Sequence, residues 1–140
     1  MDIVTHGMMG LAVAAPFLGT ETGGAVGFVL GSTLPDLDAF SRCFGKRAFL
    51  HWHQGWSHSL PVQLTAGASA WLVTQWLAPD FATLIIGLLV GAMTHSLLDL
   101  SNTYGIRVAA PFSRRRFCFE WMFFIDSVVL LLTFAALVPA

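Results

Sequence analysis

Five apolar stretches divide the chain, at about Ile3–Leu18, Gly23–Leu34, Leu60–Leu77, Phe81–Leu100 and Trp121–Val138. The last three approach the ~20 residues that a membrane-spanning helix needs. The first two are shorter and rich in Gly and Ala. They predict a tightly packed hairpin, because small residues let helices approach closely. Gly19-Thr20-Glu21-Thr22-Gly23 predicts the turn between them. Pro35 predicts the end of the second helix, since it lacks a donor and disfavours helix at Leu34. Ala78-Pro79-Asp80 predicts a tight turn with Asp80 as N-cap of the fourth helix. Two polar stretches remain, Asp36–Ser59 and Ser101–Phe119. The pattern predicts an all-α, polytopic membrane bundle of about five helices, built as a single domain over residues 1–140.

Composition strengthens the membrane reading. Of 140 residues, 56% are hydrophobic and 11% charged, against about 25% charged in soluble domains. The mean hydropathy is +0.71. So short a soluble chain could not hide that much apolar surface. A net charge of −1 gives no footprint for nucleic acid, and no nucleic-acid partner is expected. Cys43 and Cys118 lack the spacing of a thiolate zinc site and are read as free thiols. The start, Met1-Asp2, has no basic segment before the apolar run. It reads as a first membrane segment rather than a cleaved signal peptide.

The charges then orient the bundle. With five alternating spans, Arg42, Lys46, Arg47, Arg107, Arg114, Arg115 and Arg116 all fall on one side, and the opposite turns carry only Glu21 and Asp80. This is the positive-inside pattern, which places the N-terminus and the basic side in the cytoplasm. Trp52, Trp56, Phe117, Phe119 and Trp121 form an interfacial belt on that side.

The chemistry-bearing residues obey the same partition. His6 opens the first span, Asp36 and Asp38 follow the second, and His53 and His58 precede the third. His95 and Asp99 close the fourth; Glu120 opens the fifth, with Asp126 about two turns inside it. His95-x-x-x-Asp99 is the sharpest signal, because an i, i+4 pair points one way from a helix. Imidazole and carboxylate together suit zinc or another divalent ion. The alternative is a simple His–Asp hydrogen bond, but ionisable groups within apolar spans are costly and usually functional. Asp36 and Asp38 suit a bridging carboxylate and an acid or base; the alternative is a pair of turn aspartates. Ser57 is read as an N-cap that aims His58 from the first turn of span three. His53 is read as a ligand, a supporting partner or a phosphate contact, and His51 as interfacial. Asp126 is a ligand or orients one. Glu120 is favoured at a helix start by the dipole alone. Arg114–Arg116 serve as a topology signal, and one of them or Arg107 is a candidate for holding a substrate phosphate.

Thr5-His6, Gly31-Ser32-x-Leu34-Pro35-Asp36-x-Asp38, His53-x-x-x-Ser57-His58-Ser59, and His95-x-x-x-Asp99 followed by Asn102-Thr103-x-Gly105 together resemble the YdjM-type family. These are bacterial inner-membrane proteins for which metal-dependent hydrolysis has been suggested. The family is in turn similar to zinc-dependent phospholipase C and related single-strand nucleases, helical enzymes that bind zinc through His and Asp. That likeness implies His6, Asp36, His58, His95 and Asp99 as ligands. This chain lacks the second downstream His-rich helix of those enzymes, which implies one or two ions rather than three. Zinc is expected first, with manganese as the alternative.

The expected function is therefore metal-dependent hydrolysis of a phosphate ester, in a phospholipid or lipid-linked substrate, at the cytoplasmic face. Metal ligands are expected among His6, Asp36, Asp38, His58, His95, Asp99 and Asp126. Asp36, Asp38 and His53 are expected at the chemistry, and Arg107, Arg114, Arg115 and Arg116 at the substrate. A metal-stabilised membrane scaffold without turnover is the first rival. An ion transporter is the second, disfavoured because the far side of the membrane has few polar residues to form an exit.

Overall fold

The computed structural model describes residues 2–121 and 127–138. Six α-helices occur among them: α1 (Ile3–Ala14), α2 (Thr22–Gly31), α3 (Lys46–Trp52), α4 (Leu60–Leu77), α5 (Ala82–Asp99) and α6 (Ser127–Leu137). Four match predicted stretches in place, and α6 matches the end of the fifth. The sixth, α3, lies inside the predicted loop Asp36–Ser59. It was hidden there because it is only seven residues long and packs on a 3-10 helix (Leu34–Phe44) rather than in the apolar bundle.

Local chemistry explains the boundaries. Asp2 caps α1, its carboxylate accepting from the Val4 and Thr5 amides at 3.0 and 3.1 Å. α2 ends at Gly31, before Pro35 is reached; Pro35 instead sits in the first turn of the 3-10 helix, where its missing donor costs nothing. Asp80 is not a cap: it lies within a 3-10 turn (Pro79–Phe81) that leads into α5. Ser57 is not a cap either. Trp56–His58 form a further 3-10 turn, and Ser59 caps α4 by accepting from the Val62 amide at 3.4 Å. Glu120, expected to open a span, is exposed at φ 55°, outside any helix.

α1, α2, α4 and α5 alternate in direction. α1 runs antiparallel to α2, with Gly10 against Ser32 and Gly7 against Thr33. α4 runs antiparallel to α5, with Gly67 against Leu89 and Gln63 bonded to Ser96. α2 and α5 run parallel, and theirs is the closest backbone approach among the described glycines. A Cβ at Gly27, Gly31 or Gly87 would lie 2.1 Å from the carbonyl oxygen of Leu84, Leu88 or Gly24, respectively. Only hydrogen fits between these backbones. The tight pairing expected of the first two helices thus belongs chiefly to α2 and α5.

Burial is inverted relative to a soluble domain. Apart from Ile106, the largest fully buried side chains are His6, His58, His95, Asn102, Thr5, Asp99, Ser59 and Ser96. Large apolar groups such as Val13, Leu72, Trp76 and Leu132 are exposed, whereas in water such groups are usually the ones inside. Among the described residues, one helical stretch, Pro79–Asp99, is long and apolar enough to cross a membrane. The apolar stretches Ile3–Phe17 and Ser127–Leu137 are shorter.

Candidate metal centre

Three chain directions meet at one end of the bundle, and the polar segments fold over it. α5 ends in Asp99, with His95 one turn earlier. The 3-10 helix after α2 delivers Asp36, and the turn before α4 delivers His58. These four side chains are buried, and one donor atom from each lies within 4.8 Å of all the others. His58 Nε2 is 3.6 Å from Asp36 Oδ1 and 3.3 Å from Asp99 Oδ2. His95 Nε2 is 3.5 and 3.7 Å from the same two oxygens, and the two Nε2 atoms are 3.1 Å apart. Bonds of about 2.0–2.1 Å in a tetrahedron put ligand atoms about 3.3 Å apart. The observed separations bracket that value, so the donor set fits one divalent ion.

The groups behind the donors settle which ring atoms face inward. His95 Nδ1 is 2.7 Å from the Ser32 carbonyl, which can only accept; Nδ1 therefore carries the proton and Nε2 presents its lone pair. His58 Nδ1 lies 3.3 Å from Asp38 Oδ2 and 3.0 Å from Ser57 Oγ. Two imidazole lone pairs and two carboxylates facing one point repel unless a cation or a proton stands between them. Asp99 is steadied through Oδ1, which accepts from His6 Nε2 at 3.0 Å and Asn102 Nδ2 at 3.3 Å. His6 also stacks on His95 with ring centroids 3.7 Å apart. Such backing partners fix ligand orientation.

Asp38, expected among the ligands, stands one step behind them. Its Oδ1 accepts from His53 Nδ1 at 2.7 Å; its Oδ2 accepts from the Gln54 amide at 2.9 Å and Ser57 Oγ at 2.5 Å, and faces His58 Nδ1. Burial opposes ionisation of Asp38, but the bonds from His53, His58 and Ser57 outweigh it and hold the carboxyl well below the usual range. Asp36 is likewise disfavoured by burial and brought down by His58 and His95 to about 2. Burial would push His58 down, yet Asp36, Asp38 and Asp99 raise it to about 10.

These shifts predict how protons and metal compete. Without metal, His58 is protonated at neutral pH, and an ion must displace that proton. Titration of zinc into metal-free protein at pH 7, in buffers of different ionisation enthalpy, should therefore show about one proton released per ion. Zero release would contradict protonation of His58 in the metal-free protein. In metal-free protein the His58 contribution to stability is complete below 6.5 and lost as pH rises through about 10. The Asp36 contribution is complete above 3.8 and lost as pH falls through about 2.

Two cavities flank the centre, and His53 lines both. One, of about 540 Å³, is bordered by Ile3, Ala39, Phe40, Arg42, Cys43 and the candidate donor Asp36. The other, of about 580 Å³, is bordered by Phe49, Gln54, Tyr104, Arg107 and Arg116. Arg114 and Arg115 border neither and are exposed; Arg115 lies over the Phe117 ring. His51 is exposed and meets Trp52 edge-on. Asp126 lies outside the described residues. Cys43 and Cys118 are exposed and form no disulfide among the described residues.

Gln63, and the supporting roles of Ser32, Ser57 and Asn102, were not among the expected site features. Gln63 Nε2 bonds the Ser57 carbonyl at 2.6 Å and Ser96 Oγ at 2.7 Å, tying the His58 turn to α5. Asn102 and Ser57 stood within motifs already noted, which was the available signal for them. The Ser32 carbonyl gave none, because every residue has one.

A family model described as YdjM inner membrane protein matches residues 1–139, and the chain belongs to that family. It is also similar to the uncharacterized protein YfhP of Bacillus subtilis (strain 168), 28% identical over 126 residues. That match covers 82% of this chain and 38% of YfhP, so the chain spans well under half of that relative. No solved structure matches.

Proposed function

We propose that this member of an inner membrane protein family is a metal-dependent hydrolase acting on a phosphate ester of a lipid or lipid-linked substrate at the cytoplasmic face. The observation that carries the reading is the buried Asp36/His58/His95/Asp99 set with a cavity reaching one of its members, Asp36. A bound divalent ion, zinc first and manganese second, supplies Lewis acidity to a phosphoryl oxygen and to water. His53 lines that cavity with Nδ1 engaged by Asp38. Its other ring nitrogen is the one left to exchange a proton with the substrate. Asp38 orients His53 and His58 together. Asp36 Oδ2 and His6 Nδ1, both buried and without a hydrogen-bond partner among the described residues, are donors left for a second ion or a water.

The multi-pass arrangement rests on the inverted burial, the alternating helix directions and the family. The orientation rests on all seven Lys and Arg residues lying in the polar segments at the metal end. The cavity walls beside Asp36, Ile3 and Phe40, are apolar and exposed, which suits a lipid substrate.

One observation favours the scaffold reading. Four protein donors can close a tetrahedral site, as in structural zinc sites. Turnover decides between the two. Metal-loaded wild type should release phosphate or headgroup from phospholipid vesicles. His53→Gln should keep its metal and lose about 10²–10⁴-fold in kcat, the usual contribution of a general acid or base. Equal turnover by the two proteins would sink the role of His53, and no turnover by wild type on any phosphate ester would favour the scaffold.

A further inference from the structure

The segment following α5 brings two arginines to one cavity and gives neither a carboxylate. Ion pairs among the described residues all join His to Asp, and Arg107 and Arg116 take part in none. Arg116 is fixed in place: Nη1 donates to the Gly105 carbonyl at 2.8 Å and Gln54 Oε1 at 3.3 Å, and Nη2 to the His53 carbonyl at 3.3 Å. All three acceptors are uncharged, and a guanidinium carries more N–H donors than these bonds use. Arg107 is positioned through its backbone, whose amide donates to the Gln54 carbonyl at 3.2 Å. Its Nε is buried with no hydrogen-bond partner. Burial and the neighbouring Arg107 both hold the Arg116 guanidinium below its usual value. Arg107 is half-buried and Arg116 exposed; adjacent like charges repel, and an anion between them relieves that repulsion.

The cavity they line is about 580 Å³, with Phe49, Leu50 and Tyr104 forming apolar walls. That size lies within the range of about 300–1,000 Å³ for small-molecule sites. None of the four metal donors lines it. His53 is its link to the centre: the His53 and His58 rings are 6.4 Å apart, with Asp38 bonded between them.

We propose that this cavity is a phosphate-binding site separate from the metal centre, in which Arg107 and Arg116 grip the phosphate and Phe49 and Leu50 pack against its apolar neighbour. Guanidinium forks match phosphate oxygens in pairs. The phosphate has two sources, a phospholipid headgroup or a soluble phosphate ester. The site stands whether or not the metal centre turns over substrate.

The test uses the full chain, metal-loaded. Inorganic phosphate and glycerol 1-phosphate are titrated against protein in detergent. Separately, lipid retained from phosphatidylcholine nanodiscs with and without phosphatidylglycerol is measured by native mass spectrometry. Saturable binding of the soluble esters points to the soluble source, and selective retention of phosphatidylglycerol points to the headgroup; either supports the site. Arg107→Gln should weaken binding at least about tenfold with metal content unchanged, because the backbone bond to Gln54 survives. Arg107→Lys should fall between the two, and Arg114→Gln, outside the cavity, should bind as wild type. Wild type binding neither probe would overturn the proposal. So would Arg107→Gln or Arg107→Lys binding as tightly as wild type, or Arg114→Gln weakening as much as Arg107→Gln.

Discussion

Purified His95→Ala protein is expected to hold its metal at least about a hundredfold more weakly than wild type. Removing a group that merely backs a ligand costs about 10–100-fold, and His95 is the donor itself. The substitution also deletes the ring that stacks on His6 and the acceptor that faces His58 Nε2. Of the two imidazoles facing Asp36 only His58 then remains, while Asp99 keeps His6 and Asn102 at Oδ1. Leaving buried polar groups short of a partner in this way costs about 1–3 kcal/mol. His95→Ala should thus melt earlier even without metal, and zinc should no longer raise its melting temperature. Metal analysis after dialysis, with melting curves at two zinc concentrations, reads both effects. Full metal content in His95→Ala would remove this residue from the site.

Gly91→Val is expected to prevent the folded protein from accumulating. A Cβ there would meet the Phe28 carbonyl oxygen at 2.2 Å and the Ser32 amide at 2.9 Å. Both obstacles are backbone, so no side-chain rotamer relieves them. Overpacking costs about 1–3 kcal/mol where neighbours can adjust; here α2 and α5 must separate, and the cost should exceed that range. Separation also reaches the metal, because the Ser32 carbonyl holds His95 in its inward tautomer. Gly19→Ala, with nothing within 4 Å of its Cβ position, should express and melt as wild type. Expression level and metal content of the two variants, measured together, check the pair. Wild-type melting by Gly91→Val would mean the helices do not meet as described.

The gathering of the centre was legible because it follows from direction. Alternating helices must bring the start of α1, the end of α2, the start of α4 and the end of α5 to one place. The i, i+4 spacing of His95 and Asp99 already gave them one face. What the pattern could not show was rank within the cluster. Asp36 and Asp38 look alike in sequence, yet the 3-10 turn sends one to the donor set and the other to the backs of His53 and His58. Helix limits slipped where 3-10 segments intervened, at Pro35, Ser57 and Asp80, because the 3.6-residue hydrophobic period does not register 3-10 geometry. The α2–α5 pairing was missed because Gly27/Gly31 and Gly87/Gly91 declare closeness to some helix without saying which. The arginine cavity was half visible: Arg107 and Arg116 were candidates for phosphate, but so were Arg114 and Arg115, and only the fold separates them.

A divalent ion held by the buried tetrad through imidazole and carboxylate underlies the proposed chemistry. X-ray absorption at the metal edge of the purified, zinc-loaded full chain tests this most directly. The predicted spectrum shows two imidazole rings and oxygen donors at about 2.0–2.2 Å. A sulfur shell at about 2.3 Å, an all-oxygen shell, or failure to take up metal would contradict it.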